Sequence, residues 1–136
     1  MKTETFPDIT QRDQNVVAAV VTVGQLAGLI ADTAAAPEQW WHLVRFHPSE
    51  RTRLQLDNGL WLITWPPGFR LPAHGHHGAT QVTGVIAGEL AEVTVGDEGA
   101  VERPLRSNRI RIQTGDHMHE VVNPGTVYAV TLHAYL

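Results

Sequence analysis

Pro72-Ala73-His74-Gly75-His76-His77-Gly78 is the stretch on which the reading of this chain turns. Residues two apart on an extended backbone lie on the same face. His74 and His76 therefore stand side by side, and His77 turns away. Two imidazoles so placed reach one ion without a bend in the chain. A third histidine from a neighbouring strand would complete a face of nitrogen ligands and leave positions open for exogenous ligands. His117 and His119 share a face further along and compete for that role.

The surroundings are rich in short strands. Arg53–Leu56, Leu60–Trp65, Ala79–Ile86, Leu90–Val95, Val101–Leu105, Arg109–Gln113, His119–Asn123 and Val127–Leu136 each read as a strand, separated by turns such as Asp57-Asn58-Gly59 and Ala87-Gly88. Many short strands with Gly and Pro turns predict a sandwich or barrel. Ahead of them, Leu26, Leu29 and Ile30 follow i, i+3, i+4 and predict a helix over Val23–Ala35. Pro37 stops it and starts a second short helix to Val44, with Trp40, Trp41 and Leu43 available for packing. The expectation is one domain over residues 1–136, with a helical segment over 1–47 and a β-barrel over 48–136.

Bulk properties narrow the function. The chain has 136 residues, is 43% hydrophobic and 18% charged, and carries a net charge of −4. No basic surface for nucleic acid follows from that balance. Zero cysteines exclude disulfides, thiolate ligands and a cysteine nucleophile. The apolar run Val16–Ala31 follows a flank of mixed charge (Glu4, Asp8, Arg12, Asp13), contains Thr22, Gly24 and Gln25, and is too short to span a bilayer. A cytoplasmic protein without membrane contact is expected, as a monomer or homodimer.

The spacing around the paired histidines is specific. Gly68 is followed by five residues and His74; His76 is followed by four residues and Gln81, then six residues and Gly88. Downstream stand Gly115, His119, three residues, and Asn123. These resemble the two cupin motifs, with Gln81 where a glutamate ligand is usual, the second glycine displaced by one residue and a proline missing. The resemblance implies a double-stranded β-helix, or jelly roll.

A narrower resemblance runs from Trp41 to Leu136. His42-Leu43-Val44-Arg45, Trp61-Leu62-Ile63-Thr64-Trp65-Pro66-Pro67-Gly68, Gly88-Glu89-Leu90, His119-Glu120-Val121-Val122-Asn123 and Thr131-Leu132-His133-Ala134-Tyr135 resemble the bacterial cysteine dioxygenase family. That likeness implies one Fe(II) held by His74, His76 and His119, O₂ as co-substrate, and conversion of a small thiol to its sulfinate. It makes sense of Gln81: without a carboxylate ligand the iron keeps its full charge and has room for a thiolate, the reactive form of sulfur, beside O₂. The resemblance also implies Tyr135 as hydrogen-bond donor or acid, His133 as its orienter and Thr131 as a supporting partner.

The last strand supports those roles by period. Thr131, His133 and Tyr135 share one face, whereas Tyr128, Val130, Leu132, Ala134 and Leu136 form an apolar opposite face. For the substrate carboxylate, the family's arginine corresponds to Arg53, since a guanidinium grips a carboxylate with two parallel bonds; Arg70 is the alternative. Gln81 is expected to line the pocket or bind weakly. Departures are visible. The family has a tyrosine close before its arginine, and this chain reads Arg51-Thr52-Arg53. Gly75 replaces a common aspartate, and threonine replaces serine at 131. With no cysteine, the thioether crosslink to the tyrosine found in mammalian-type members cannot form. The family continues past the tyrosine with a Ser-Pro-Pro stretch, whereas this sequence ends at Leu136, so a missing lid and a substrate other than cysteine are expected. Two other readings remain: a metal-dependent cupin oxygenase acting on another small molecule in a biosynthetic pathway, and a cupin that binds metal or ligand without catalysis.

Overall fold

The computed structural model describes residues 21–74, 79–113 and 118–136. It opens on α1 (Val23–Ala34). The Thr22 hydroxyl accepts from the Gln25 N–H at 3.0 Å, and the Gln25 side-chain oxygen accepts from the Thr22 N–H at 2.8 Å. This capping box satisfies two orphan donors at the helix start. Ile30 is buried, with Leu26 and Leu29 packed beside it, as the helical spacing requires.

The expected second helix is replaced by two 3-10 turns, Pro37–Gln39 and Trp41–Leu43. Trp40 lies between them with φ −138°. That conformation carries its indole into the core, where Nε1 donates to the Thr33 carbonyl at 2.6 Å. A continuous helix would forfeit this contact. Trp41, expected to pack, is 52% exposed.

The strands are β1 (Thr52–Gln55), β2 (Trp61–Trp65), β3 (Arg70–His74), β4 (Gln81–Ala87), β5 (Glu89–Gly96), β6 (Gly99–Arg106), β7 (Arg109–Gln113), β8 (His119–Val122) and β9 (Ala129–Tyr135). They pair antiparallel into a five-stranded sheet ordered β1-β2-β9-β4-β7 and a four-stranded sheet ordered β3-β8-β5-β6. The chain thus crosses repeatedly from one sheet to the other. Strand β3 was hidden from the sequence reading by Pro72. An edge strand tolerates a proline because one row of its N–H groups needs no ladder partner, and β3 is an edge.

Each face of the five-stranded sheet is covered. On the outer face Leu62, Val82, Val130, Leu132 and Ala134 pack with Ile30 and Trp40. On the inner face Ile63, Trp65, Val85 and Ala129 meet Leu90, Leu105 and Val121 of the four-stranded sheet. Gly84 makes the outer packing possible, since a Cβ there would stand 2.5 Å from Ile30 Cγ2.

The motif residues have structural work. Gly88 turns β4 into β5 with φ +73°, and a Cβ there would lie 2.5 Å from the Tyr128 carbonyl. Gly68, at φ +78°, donates its N–H to the Asn123 carbonyl at 2.9 Å. The buried Asn123 amide donates to the carbonyls of Trp65 (3.0 Å) and Val127 (2.9 Å). The first residue of one motif is therefore joined to the last residue of the other, which locks the ends of β3 and β8 together.

Candidate functional site

A cavity of about 300 Å³ opens between the sheets. Arg51 and Arg53 at β1, Trp65 on β2, Gln81 and Thr83 on β4, Arg111 and Gln113 on β7, His119 on β8, and His133 and Tyr135 on β9 line it. Residues far apart in sequence converge because β9 lies between β2 and β4 at the centre of its sheet. Its inward positions fall opposite Trp61, Thr83 and Gln81: His133 pairs with Trp61 and Thr83, and Tyr135 with Gln81.

His119 is buried, and its Nδ1 lies 2.9 Å from Glu92 Oε2. Glu92 is itself buried and bound by Arg111 Nη1 at 2.5 Å and by the Gln113 amide. Burial alone would raise the Glu92 carboxyl pKa; the His119 hydrogen bond and the Arg111 charge outweigh it and hold the group below its ordinary value. An ionised carboxylate only accepts hydrogen bonds, so Nδ1 carries the hydrogen, and the neutral form of the ring has its lone pair on Nε2. A histidine whose other ring nitrogen is fixed on a carboxylate is the usual state of a metal ligand.

On the opposite wall the His133 ring is clamped from both sides. Nε2 lies 2.6 Å from Thr131 Oγ1, which accepts from Trp65 Nε1 at 2.9 Å. Nδ1 lies 3.1 Å from Thr83 Oγ1 and 3.4 Å from Gln81 Nε2. The Gln81 amide donates to Thr83 Oγ1 at 2.7 Å and to Gln113 Oε1 at 3.2 Å. One chain of hydrogen bonds therefore runs from Trp65 through Thr131, His133, Thr83, Gln81 and Gln113 to Glu92 and His119. Thr131 is fully buried behind His133 and holds that ring. Tyr135 stands at the rim, 46% exposed.

The structure sorts the other expected residues. The backbone of His74 is directly opposite His119 in the β3–β8 ladder, and directly opposed residues share a face. Gly75, His76, His77, Gly115 and His117 lie outside the described residues. Arg53 lines the cavity, with its guanidinium 4.5 Å from the centre of the Trp61 ring. Arg70 is turned to the surface: its side chain is 58% exposed and paired with Glu120. Arg70 pairs with Val122, one residue out of step with Leu71 and Val121, the pair that lines the cavity. Trp61 and Trp65 serve as supports for Arg53 and Arg51.

Glu92, Thr83, Arg111, Gln113 and Arg51 were missed. Glu92 alone had a local signal, an acid on the inward register of Leu90-Ala91-Glu92-Val93-Thr94. A lone carboxylate on an otherwise apolar stripe asks for a buried partner.

Two facing antiparallel sheets, with the chain crossing repeatedly between them, form a cupin-like double-stranded β-helix fold. Oxalate oxidase has this fold, with a TM-score of 0.52 at 22% identity over 65% of this chain and 50% of that one. So does TT1209 from Thermus thermophilus, with a TM-score of 0.58 at 20% identity over 70% of this chain and 90% of that one. An uncharacterized conserved protein with a double-stranded beta-helix domain from Klebsiella pneumoniae gives a TM-score of 0.56 at 19% identity, over 69% and 83% of the two chains. The chain spans half the length of the oxalate oxidase chains. At such identities the likeness is one of fold. No curated protein matches the sequence. The chain belongs to the family described as cysteine dioxygenase type I, whose profile matches residues 1–136.

Membership implies a mechanism dependent on Fe(II) and O₂. The described donors fit such an ion. His119 is an imidazole whose Nδ1 is held on the Glu92 carboxylate, and the cavity wall carries no acidic side chain among the described residues. Among those residues no cluster of three or more histidine, cysteine or acidic side chains is assembled. No described helix is long and apolar enough to cross a membrane.

Proposed function

We propose that this chain is a thiol dioxygenase that adds both atoms of O₂ to the sulfur of a small thiol bearing a carboxylate, giving the sulfinate. The observation that carries this reading is the cavity itself. One wall holds a carboxylate-oriented histidine, the opposite wall holds Tyr135 beside the clamped His133, and Arg51 and Arg53 line the same cavity.

His74, His76 and His119 would hold the iron. The register of His74 opposite His119 supports the set. When bound, Fe(II) supplies a site that favours thiolate over thiol and brings it together with O₂. The rest is done by the chain. Glu92, held ionised, keeps the His119 tautomer with its lone pair on Nε2. Arg53 offers its guanidinium to the substrate carboxylate, held out over the Trp61 face. The Tyr135 hydroxyl, at the rim, donates a hydrogen bond toward the reacting sulfur and oxygen. Thr131 and Thr83 fix the His133 ring beside it. Leu71, Leu90, Leu105 and Val121 close the floor against water. A cytoplasmic setting goes with this reading, because free thiols persist under reducing conditions.

The test is oxygen uptake by protein purified anaerobically and loaded with Fe(II), with a panel of thiols and mass analysis of the product. Uptake that depends on thiol and gives a sulfinate carrying two labelled atoms from ¹⁸O₂ supports the proposal. Uptake indifferent to thiol points to an oxygenase of another small molecule. Tightly held zinc with no uptake points to a non-catalytic binding cupin.

A further inference from the structure

Arg51 stands in the same cavity wall as Arg53 but was absent from every sequence-based expectation. Its guanidinium lies 5.0 Å from the centre of the Trp65 ring, while Arg53 lies over Trp61. Trp61 and Trp65 share the inward face of β2 by period two. The two cations are thus laid along one aromatic rail, each pre-extended by a cation–π contact.

Among the described residues three other arginines have carboxylate partners: Arg70 holds Glu120, Arg106 holds Glu89 and Arg111 holds Glu92. Among the described residues neither Arg51 nor Arg53 has a carboxylate partner, and no acidic side chain lines the cavity. Arg51 is half-buried. Burial first, and then repulsion from Arg53, push its pKa down, against an opposing pull from Tyr135. Two like charges that feel each other in a partly dry cleft are stabilised by an anion that meets both.

Resting on the thiol dioxygenase reading above, we propose that the substrate is a thiol with two carboxylates, one held by Arg53 and the second by Arg51. Residues two apart on an extended chain are separated by about 7 Å, a span suited to the two ends of a four-carbon diacid. A cavity of about 300 Å³ accommodates such a molecule. Arg51 is then the residue that distinguishes a dianion from the monoanion that Arg53 alone would select.

Titration calorimetry on the full-length, metal-free protein tests the recognition apart from the chemistry. Succinate is expected to bind at least about tenfold more tightly than butyrate, a gap of one ionic contact. Arg51→Gln should remove that gap while leaving butyrate binding in place, and Arg51→Lys should restore part of it. Equal affinities in the unaltered protein, or a gap that survives Arg51→Gln, overturn the proposal. With Fe(II) loaded, kcat/KM for 2-mercaptosuccinate should exceed that for 3-mercaptopropionate, again through Arg51; the reverse order overturns it. Succinate binding intact with turnover of neither thiol upholds the paired-cation site and overturns the dioxygenase reading alone.

Discussion

The two faces of the five-stranded sheet use the same strands for opposite purposes. On the outer face of β9, Val130, Leu132 and Ala134 meet Ile30 of α1 and Val82 of β4 in a hydrocarbon layer. On the inner face, one residue out of step, Thr131 and His133 meet Trp65, Thr83 and Gln81 in a chain of hydrogen bonds. Both faces are buried. The difference teaches that burial alone does not mark a stability element. The outer layer gains by removing apolar surface from water. The inner one recovers the cost of burying polar groups only because each has a partner, and it keeps a cavity that a packed core would have filled.

The comparison breaks most completely at His119. His119→Ala removes the imidazole that Glu92 orients, and iron in the purified protein should fall from one equivalent to background, with loss of thiol-dependent oxygen uptake. Retention of stoichiometric iron would show that the inner face does not serve a metal. The outer face should respond in the opposite manner. Leu132→Ala is expected to cost about 2–5 kcal/mol of unfolding free energy, read in denaturant titration, with kcat per folded molecule unchanged.

Glu92→Gln sharpens the inner face. It keeps the shape but removes the charge that fixes the His119 tautomer and binds Arg111. Iron affinity should fall by about 10–100-fold, measured by chelator competition, with little change in melting temperature relative to Leu132→Ala. The smallest effect is expected at Thr131→Val. It leaves the Trp65 N–H and the His133 ring without their hydroxyl partner, at a cost of about 1–2 kcal/mol. The signature would be a lowered kcat with unaltered iron content, since His133 loses its clamp while His119 does not.

How legible each part was depends on the range of the signal. The faces of β9 were readable because period two is a local property: Thr131, His133 and Tyr135 alternate with apolar residues. The helix over Val23–Ala34 was readable for the same reason. The break at Trp40 was not, since it depends on where the indole finds a buried acceptor. Nor was β3, because a proline in a strand becomes acceptable only once the strand is known to be an edge.

By itself the sequence determined the cupin class, because motif spacing encodes turns and strand registers that recur wherever that fold is built. It also marked His119 and the polar stripe of the last strand. Only the tertiary structure decided which charges share the cavity. Arg51 enters and Arg70 leaves; Glu92, Arg111 and Gln113 arrive from β5 and β7 to hold His119. Glu92 comes from the neighbouring strand of the same sheet and Arg111 and Gln113 from the facing sheet, and electrostatic interaction depends on distance through space.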